Sequence, residues 1–443
     1  MLFTRKDLTR IFLPLLLEQI LAVTVGMFDS MMVSSAGEAA VSGVSLVDSI
    51  NILLSNIFAA LATGGAVVCS QFLGRRDHEA ARTSAKQLYY VVFFVSSAIM
   101  AIALLFRSSL LSLIFGRIEA DVMGHAQIYF LFTALSYPFL AVYNGGAAIF
   151  RAIGNSKISL YVSLGMNAVN IAGNAILIYG LGLGAAGAAI ATLFSRILGA
   201  IVMLVLSYNK ENPIYVGKLF RVRLNFPIIR NILHIGVPSG MENGMFQFGK
   251  LLTQSLVSTF GTAAIAANAV AHTLSSFEYA AGGAVGLTMI TVIGRCVGAG
   301  EKEQAKQYVK KLMGVAYAVM LAVALLLTLF AKPIIGVYKL SAESAALALT
   351  LIFLHNVFAA TIWPLAFTLP NSFRAASDVR YPMIVSVLSM WIFRVACSYV
   401  FALGLDMGVL GVWVSMMIDW VVRAILFVIR FCSGRWLTKY KAA

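Results

Sequence analysis

The chain has 443 residues, 60% of them hydrophobic and only 12% charged, with 33 Lys and Arg against 18 Asp and Glu for a net charge of +15. Soluble domains carry roughly 25% charged residues, so the composition excludes a soluble protein and indicates a polytopic membrane protein. Nucleic-acid binding is excluded as well, because no folded basic domain exists to carry it.

In chain order, MLFTRKDLTR leads into an apolar stretch that contains Glu18 and Asp29 and lacks a small-residue cleavage site. It reads as a retained first span rather than a signal peptide. Apolar runs of about 20 residues, enough to cross a bilayer, fall near 11–34, 43–71, 87–106, 126–150, 158–180, 185–208, 231–258, 264–293, 311–330, 347–372, 382–403 and 408–432. The expected architecture is all-α, with twelve transmembrane helices. The segments after spans 2 and 8 read as short amphipathic helices at the inner interface. Tyr208 to Arg230 is the one long polar stretch and carries five basic residues and Pro213. It divides the chain into 1–210, a linker at 211–230, and 231–443.

The two parts repeat one another. At an offset of 224 residues Pro14 falls on Pro238, Glu18 on Glu242, Gly37 on Gly261 and Gly74 on Gly298. The offset slips to 223 where Phe150-Arg151-Ala152 meets Phe373-Arg374-Ala375 and Val162-Ser163 meets Val385-Ser386, then returns to 224 at Gly184 and Gly408. Six spans in each half give both halves the same orientation, as in parallel repeats about an axis along the membrane normal. With the N-terminus inside, 25 of the basic residues fall on cytoplasmic segments or, for Lys311 and Arg430, at the inner ends of spans, and four (Arg107, Arg117, Lys332, Lys339) fall on outer loops. That asymmetry places both termini in the cytoplasm by the positive-inside rule. Cys69, Cys296, Cys397 and Cys432 have no CxxC spacing and read as buried small hydrophobes.

Ionisable residues within spans are functional candidates by default. Asp29 lies in span 1. Asn167, Asn170 and Asn174 follow at i, i+3 and i+7 on one face of span 5. Counted from the inner ends of their spans, Asp29 and Asn174 lie about 27 Å and about 24 Å up, and Thr192 of span 6 comes to the same level. A carboxylate, amide oxygens and a hydroxyl at one depth suit Na⁺, and equally an Asp that exchanges a proton. In the second half Thr253, Phe393, Cys397 and Met416 stand where Asp29, Asn170, Asn174 and Thr192 stand in the first. Pro14 removes a backbone N–H and crowds the carbonyl of Arg10, which makes it a candidate hinge. Glu18 and Glu242, each one turn after a helix proline, read as a symmetric structural pair that could also line a cavity. Lys250, Glu278, His355 and Arg394 are further cavity-lining candidates that could instead form internal ion pairs. His272 reads as a satisfied interior histidine, and Arg151 and Arg374 as cations at helix C-termini.

The segments RAIGNSK and RAASDVR after spans 4 and 10, the twelve-span duplication, Pro14 and Asp29 in span 1, and GLGLGAAGAAIAT after span 5 resemble the multidrug and toxic compound extrusion (MATE) transporters, in particular their DinF-like bacterial members. The resemblance covers nearly the whole chain. It implies a MATE/MOP-type fold of two homologous six-helix lobes around a central cavity, in which inward flow of H⁺ or Na⁺ drives export of organic, often cationic, compounds. The family's first-helix acid falls on Asp29, its helix-5 Asn and acid on Asn170 and Asn174, and its helix-6 hydroxyl on Thr192. Here the helix-5 acid is Asn174. That leaves Asp29 as the sole carboxylate and favours H⁺ over Na⁺. The acids that another branch carries on helices 7 and 10 fall on apolar residues near Phe246 and Trp363. The expectation is a monomeric antiporter of the cytoplasmic membrane, without cofactor, whose partners are a small organic substrate and the lipid bilayer. A Na⁺-coupled exporter is one alternative. A lipid-linked precursor flippase that uses Arg394 and Lys250 is the other. An integral-membrane enzyme would need a motif around His272 or His355, and none is present.

Overall fold

The chain is described from a computed structural model that covers residues 2–35, 37–116, 119–217, 219 and 221–440. Arg117, and Lys218 and Lys441 of the basic-residue count, lie outside the described residues. The chain is helical throughout: α1 (Arg5–Ser34), α2 (Glu38–Gly74), α3 (His78–Leu105), α4 (Arg107–Phe115), α5 (Ala120–Leu135), α6 (Tyr137–Ile153), α7 (Ser156–Asn174), α8 (Gly184–Ser207), α9 (Phe226–Ser258), α10 (Thr262–Gly298), α11 (Lys302–Val337), α12 (Ala342–Thr361), α13 (Pro370–Ala375), α14 (Arg380–Ser389), α15 (Cys397–Tyr399) and α16 (Gly408–Cys432).

Among the described residues ten helices are long and apolar enough to cross a membrane, and eleven spans result when α5 and α6, bent by 44°, count as one. The bend falls at Ser136, where Pro138 restarts the helix. The twelfth expected span lies on α9, a 33-residue helix. Its middle carries His234, Glu242, Asn243 and Lys250, which keeps it out of the apolar set. The short interfacial helices expected after spans 2 and 8 do not form. One turn after α2 and after α10 the chain re-enters helix, and α3 and α11 run unbroken from His78 and Lys302 into their spans. At α3 the Asp77 side chain accepts from the Ala80 N–H at 2.9 Å, so a capped start replaces a separate surface helix. Cys69 and Cys296 are buried as expected, but Cys432, the last residue of α16, is exposed.

Two compact units result: Thr9–Gly240, and Met241–Ala443 together with Met1–Leu8. In the first unit α2 packs on α3, α5 and α6, and α8 on α6 and α7. The α2 backbone comes so close to the start of α9 that a Cβ on Gly64 would meet the Ile232 carbonyl oxygen at 2.5 Å. The linker is tied down by α3. Lys86 Nζ donates to the Arg221 carbonyl at 3.0 Å, Gln87 Nε2 to that of Arg223 at 2.9 Å, and Tyr90 Oη to that of Leu219 at 2.7 Å. In the second unit α10, the most enclosed span, packs on α11, α12 and α13. The N-terminal strap belongs here: Tyr308 of α11 donates to the Phe3 carbonyl at 2.7 Å.

The repeat seen in the sequence has a backbone counterpart. Gly37 and Gly261 precede α2 and α10 at φ 99° and 89°, a conformation that side chains with a Cβ rarely adopt. The segment after α7 is a π-helical turn at Ala175–Gly180, mirrored by one at Val400–Gly404. A further π-helical turn at Met390–Ala396 has no counterpart in α7. A π-bulge takes up one extra residue. This is where the 223-residue offset becomes 224.

Candidate functional site

In the first unit the sequence-predicted residues of α1, α7 and α8 meet. Asn174 Nδ2 donates to Asp29 Oδ1 at 2.9 Å. With the Asn170 amide oriented so that both of its ends are satisfied, its nitrogen donates to Asp29 Oδ1 and Oδ2 at 3.0 and 3.3 Å. Its oxygen then accepts from Thr192 Oγ1 at 3.2 Å. Asn174 Oδ1 is buried and, among the described residues, has no hydrogen-bond partner. Asn167 does not join this group. It sits seven residues, about 10 Å along the axis, before Asn174, and its amide turns to Ser163 Oγ at 3.5 Å.

A second layer escaped the sequence reading. The charges of Asp48 on α2 and Arg196 on α8 both act on Asp29, so Asp29 is not the sole carboxylate of the region. Tyr129 Oη donates to Asp48 Oδ1 at 3.0 Å, Asn51 Nδ2 donates to the same oxygen at 3.2 Å, and Tyr137 Oη donates to Asn51 Oδ1 at 2.9 Å. Arg196 Nη1 donates to Ser136 Oγ at 2.7 Å, at the bend between α5 and α6. With both acids ionised, two carboxylates and one guanidinium leave a single negative charge, which one monovalent cation neutralises. A charged residue within an apolar span was the signal that could have found Asp48 and Arg196.

Pro14 lies within α1, which remains one helix from Arg5 to Ser34. Glu18 accepts from Ser159 Oγ of α7 at 2.7 Å. Its repeat partner Glu242 holds Arg374 Nη2 at 2.6 Å, while Arg374 Nη1 donates to Asn371 Oδ1 at 2.8 Å. Both glutamates therefore bind side chains of other helices, at the start of α7 and in α13, as the structural role expected of the pair requires. In the second unit Glu278 Oε2 lies 2.6 Å from His355 Nδ1, both fully buried, and Tyr279 Oη contacts His355 Nε2 at 2.8 Å. These two residues form an internal pair, the second of the roles considered for them. Lys250 and Arg394 instead face one small pocket with His272. His272 is interior, its ring 5.1 Å from that of Trp413, but its buried Nδ1 has no hydrogen-bond partner among the described residues. The Arg394 guanidinium reaches Met416 Sδ at 3.1 Å, and Met416 is the repeat counterpart of Thr192. By contact, Arg394 thus stands where Asn170 stands in the first unit. The π-helical turn moves it there from the Phe393 that simple alignment assigns.

The family model MatE matches the chain twice, at residues 14–176 and 238–400, which start 224 residues apart. The uncharacterised transporter YisQ of Bacillus subtilis strain 168 is 29% identical over 430 residues, covering 96% of this chain and 94% of its own length. A probable multidrug resistance protein NorM of Thermotoga maritima is 24% identical over 442 residues, covering 98% and 93%. Among solved structures, the outward-facing conformation of a multidrug resistance MATE family transporter of the MOP superfamily superposes with a TM-score of 0.90 at 20% identity, over 97% of this chain and 96% of the other.

Proposed function

Because the chain belongs to the MatE family, a family of membrane transporters and not of enzymes, we propose that it is a cation-coupled antiporter that exports small amphipathic organic compounds by alternating access. The first lobe, 1–210, carries the coupling site, and 231–443 forms the second lobe. The termini are cytoplasmic, supported by the distribution of Lys and Arg. The motif GLGLGAAGAAIAT and Asp29 support membership of the DinF-like branch.

The observation that carries the reading is the Asp29 carboxylate facing two amide donors, Asn174 and Asn170, with Thr192 behind them. H⁺ is the favoured coupling ion. Protonation of Asp29 turns one of its oxygens from acceptor to donor, so an amide that now donates must rotate and offer its oxygen. Asn174 Oδ1, buried and unsatisfied among the described residues, is the acceptor at hand. Loading one proton therefore rewires the contacts between α1 and α7, and a rewired contact between two helices is what a conformational cycle requires. Na⁺ remains the alternative, since Asp48 adds a second carboxylate nearby.

The test is efflux from proteoliposomes. Asp29→Asn, matched in volume, should insert and elute as the parent does but lose efflux driven by a pH gradient, down to the level of empty vesicles. Parental efflux by this variant overturns the role of Asp29. With the parent protein, transport should follow ΔpH without Na⁺ and fade as external pH rises, because protonation from outside admits the driving ion. Strict dependence on Na⁺ at fixed pH assigns the site to the metal ion instead.

A further inference from the structure

The pocket in the second unit holds an excess of positive charge that the coupling scheme does not use. Lys250 on α9, His272 on α10 and Arg394 in the π-helical turn line it, and among the described residues no acidic one does. The neutral polar groups beside them are already occupied with one another: Asn268 Nδ2 donates to Gln254 Oε1 and Trp413 Nε1 donates to Asn268 Oδ1, both at 2.9 Å. Thr253 turns its hydroxyl back to the Lys250 carbonyl at 3.0 Å. The Lys250 and Arg394 charges are near enough to repel. Asp419, the acid whose charge reaches Arg394, takes Arg423 Nε at 2.7 Å and Ser389 Oγ at 2.5 Å on its Oδ1, and its buried Oδ2 makes no hydrogen bond among the described residues, to Arg394 included. Two cations beside an imidazole whose Nδ1 has no hydrogen-bond partner among the described residues are costly at membrane depth unless an anion joins them.

The position gives this excess a meaning. Asn170 and Thr192 touch across 22 residues in the first unit, as Arg394 and Met416 do in the second. Thr253 stands at the repeat position of Asp29. The pocket is therefore the duplicated counterpart of the acidic cluster, with its charge reversed.

We propose that this pocket is a binding site for an anionic group, the carboxylate of an exported organic acid or zwitterion. Arg394 and Lys250 hold its oxygens, and His272 Nδ1 completes the shell. The proposal rests on the reading of the chain as an exporter and narrows its substrates to compounds that carry such a group; the pocket, a cavity of about 10 Å³, admits the carboxylate and leaves the rest of the compound outside it.

Dansylglycine and its methyl ester differ only in the carboxylate, and their binding to the full chain in phosphatidylcholine nanodiscs can be followed by fluorescence polarisation. The parent should bind the acid at least ~10-fold more tightly than the ester, the scale of one or two charge-assisted hydrogen bonds. Lys250→Met and Arg394→Gln should each remove that preference, and Lys250→Arg should keep it. Equal binding of acid and ester by the parent, or a preference that survives both neutralising variants, overturns the site. Where Arg394→Gln does not elute as a single species, the Lys250 pair decides alone. Phosphatidylglycerol that abolishes the preference, with inorganic phosphate inert, assigns the pocket to a lipid headgroup and overturns the assignment to substrate. Because equilibrium binding is read, a missing preference leaves the exporter reading intact, while the Asp29→Asn efflux assay tests that reading without reference to this pocket.

Discussion

Asp29, Asn170, Asn174 and Thr192 were legible in the sequence because two periodicities converge on them. The helical period puts Asn170 and Asn174 on one face, and the rise per residue brings them level with Asp29. Asp48 and Arg196 carried half of that signal, a charge in an apolar span. No periodicity pointed to their partners, which lie on other helices that only the fold brings near. The same limit applied to Glu278 and His355, for which spacing could not choose between a cavity and an internal pair. The structure supports the pair, at 2.6 Å and fully buried, and this has a measurable consequence. Removing one member leaves buried polar atoms of the other without a neighbour, at a cost of ~1–3 kcal/mol, whereas replacing both with apolar groups of similar shape is often nearly neutral. Glu278→Leu or His355→Leu alone should therefore lower the thermal midpoint in detergent more than the double variant does. If the two single effects simply add in the double, the pair is not a unit, and one of these residues works elsewhere.

At the scale of elements, span positions followed from apolar run length, but where helices bend or bulge did not. The π-helical turn at Met390–Ala396 left only a one-residue slip in the repeat offset. The break at Ser136 left Pro138, which could equally have sat in an unbroken helix. Pro14 is the converse case: the proline was plain, yet α1 remains one helix through it. Its missing N–H still leaves the Arg10 carbonyl without its helical partner, so bending there costs less than elsewhere in α1. If the cycle uses that compliance, Pro14→Ala should slow turnover while substrate affinity stays near the parental value, the pattern expected when a conformational step is changed. Parental turnover in proteoliposomes removes α1 bending from the cycle. A second element-scale expectation concerns Gly64, where an added Cβ meets a backbone oxygen that cannot rotate away. Gly64→Ala should destabilise the first unit by ~1–3 kcal/mol through overpacking, seen as a lower thermal midpoint.

Across the whole molecule, duplication was the most legible property, and the family model matching twice at the same 224-residue offset carries it further. What the repeat could not show is how far the two copies have diverged in chemistry, because divergence lies in side-chain contacts and not in the helix pattern. One copy gathers Asp29 and Asp48 around Arg196, and the other gathers Lys250 and Arg394 around a pocket without an acid. If coupling belongs to the first copy alone, changes at Thr253, Phe393, Cys397 and Met416 should alter which compounds are exported without uncoupling transport from the ion gradient. The informative variant is Met416→Thr, which restores the hydroxyl of Thr192 at its repeat position, tested together with Thr192→Met in the first unit. Met416→Thr should shift relative efflux rates across a substrate panel and keep the number of protons moved per substrate. Thr192→Met should slow ΔpH-driven efflux of every compound to a similar extent. Should Met416→Thr change the proton stoichiometry, the second copy takes part in coupling, and the division of labour between the repeats would have to be abandoned.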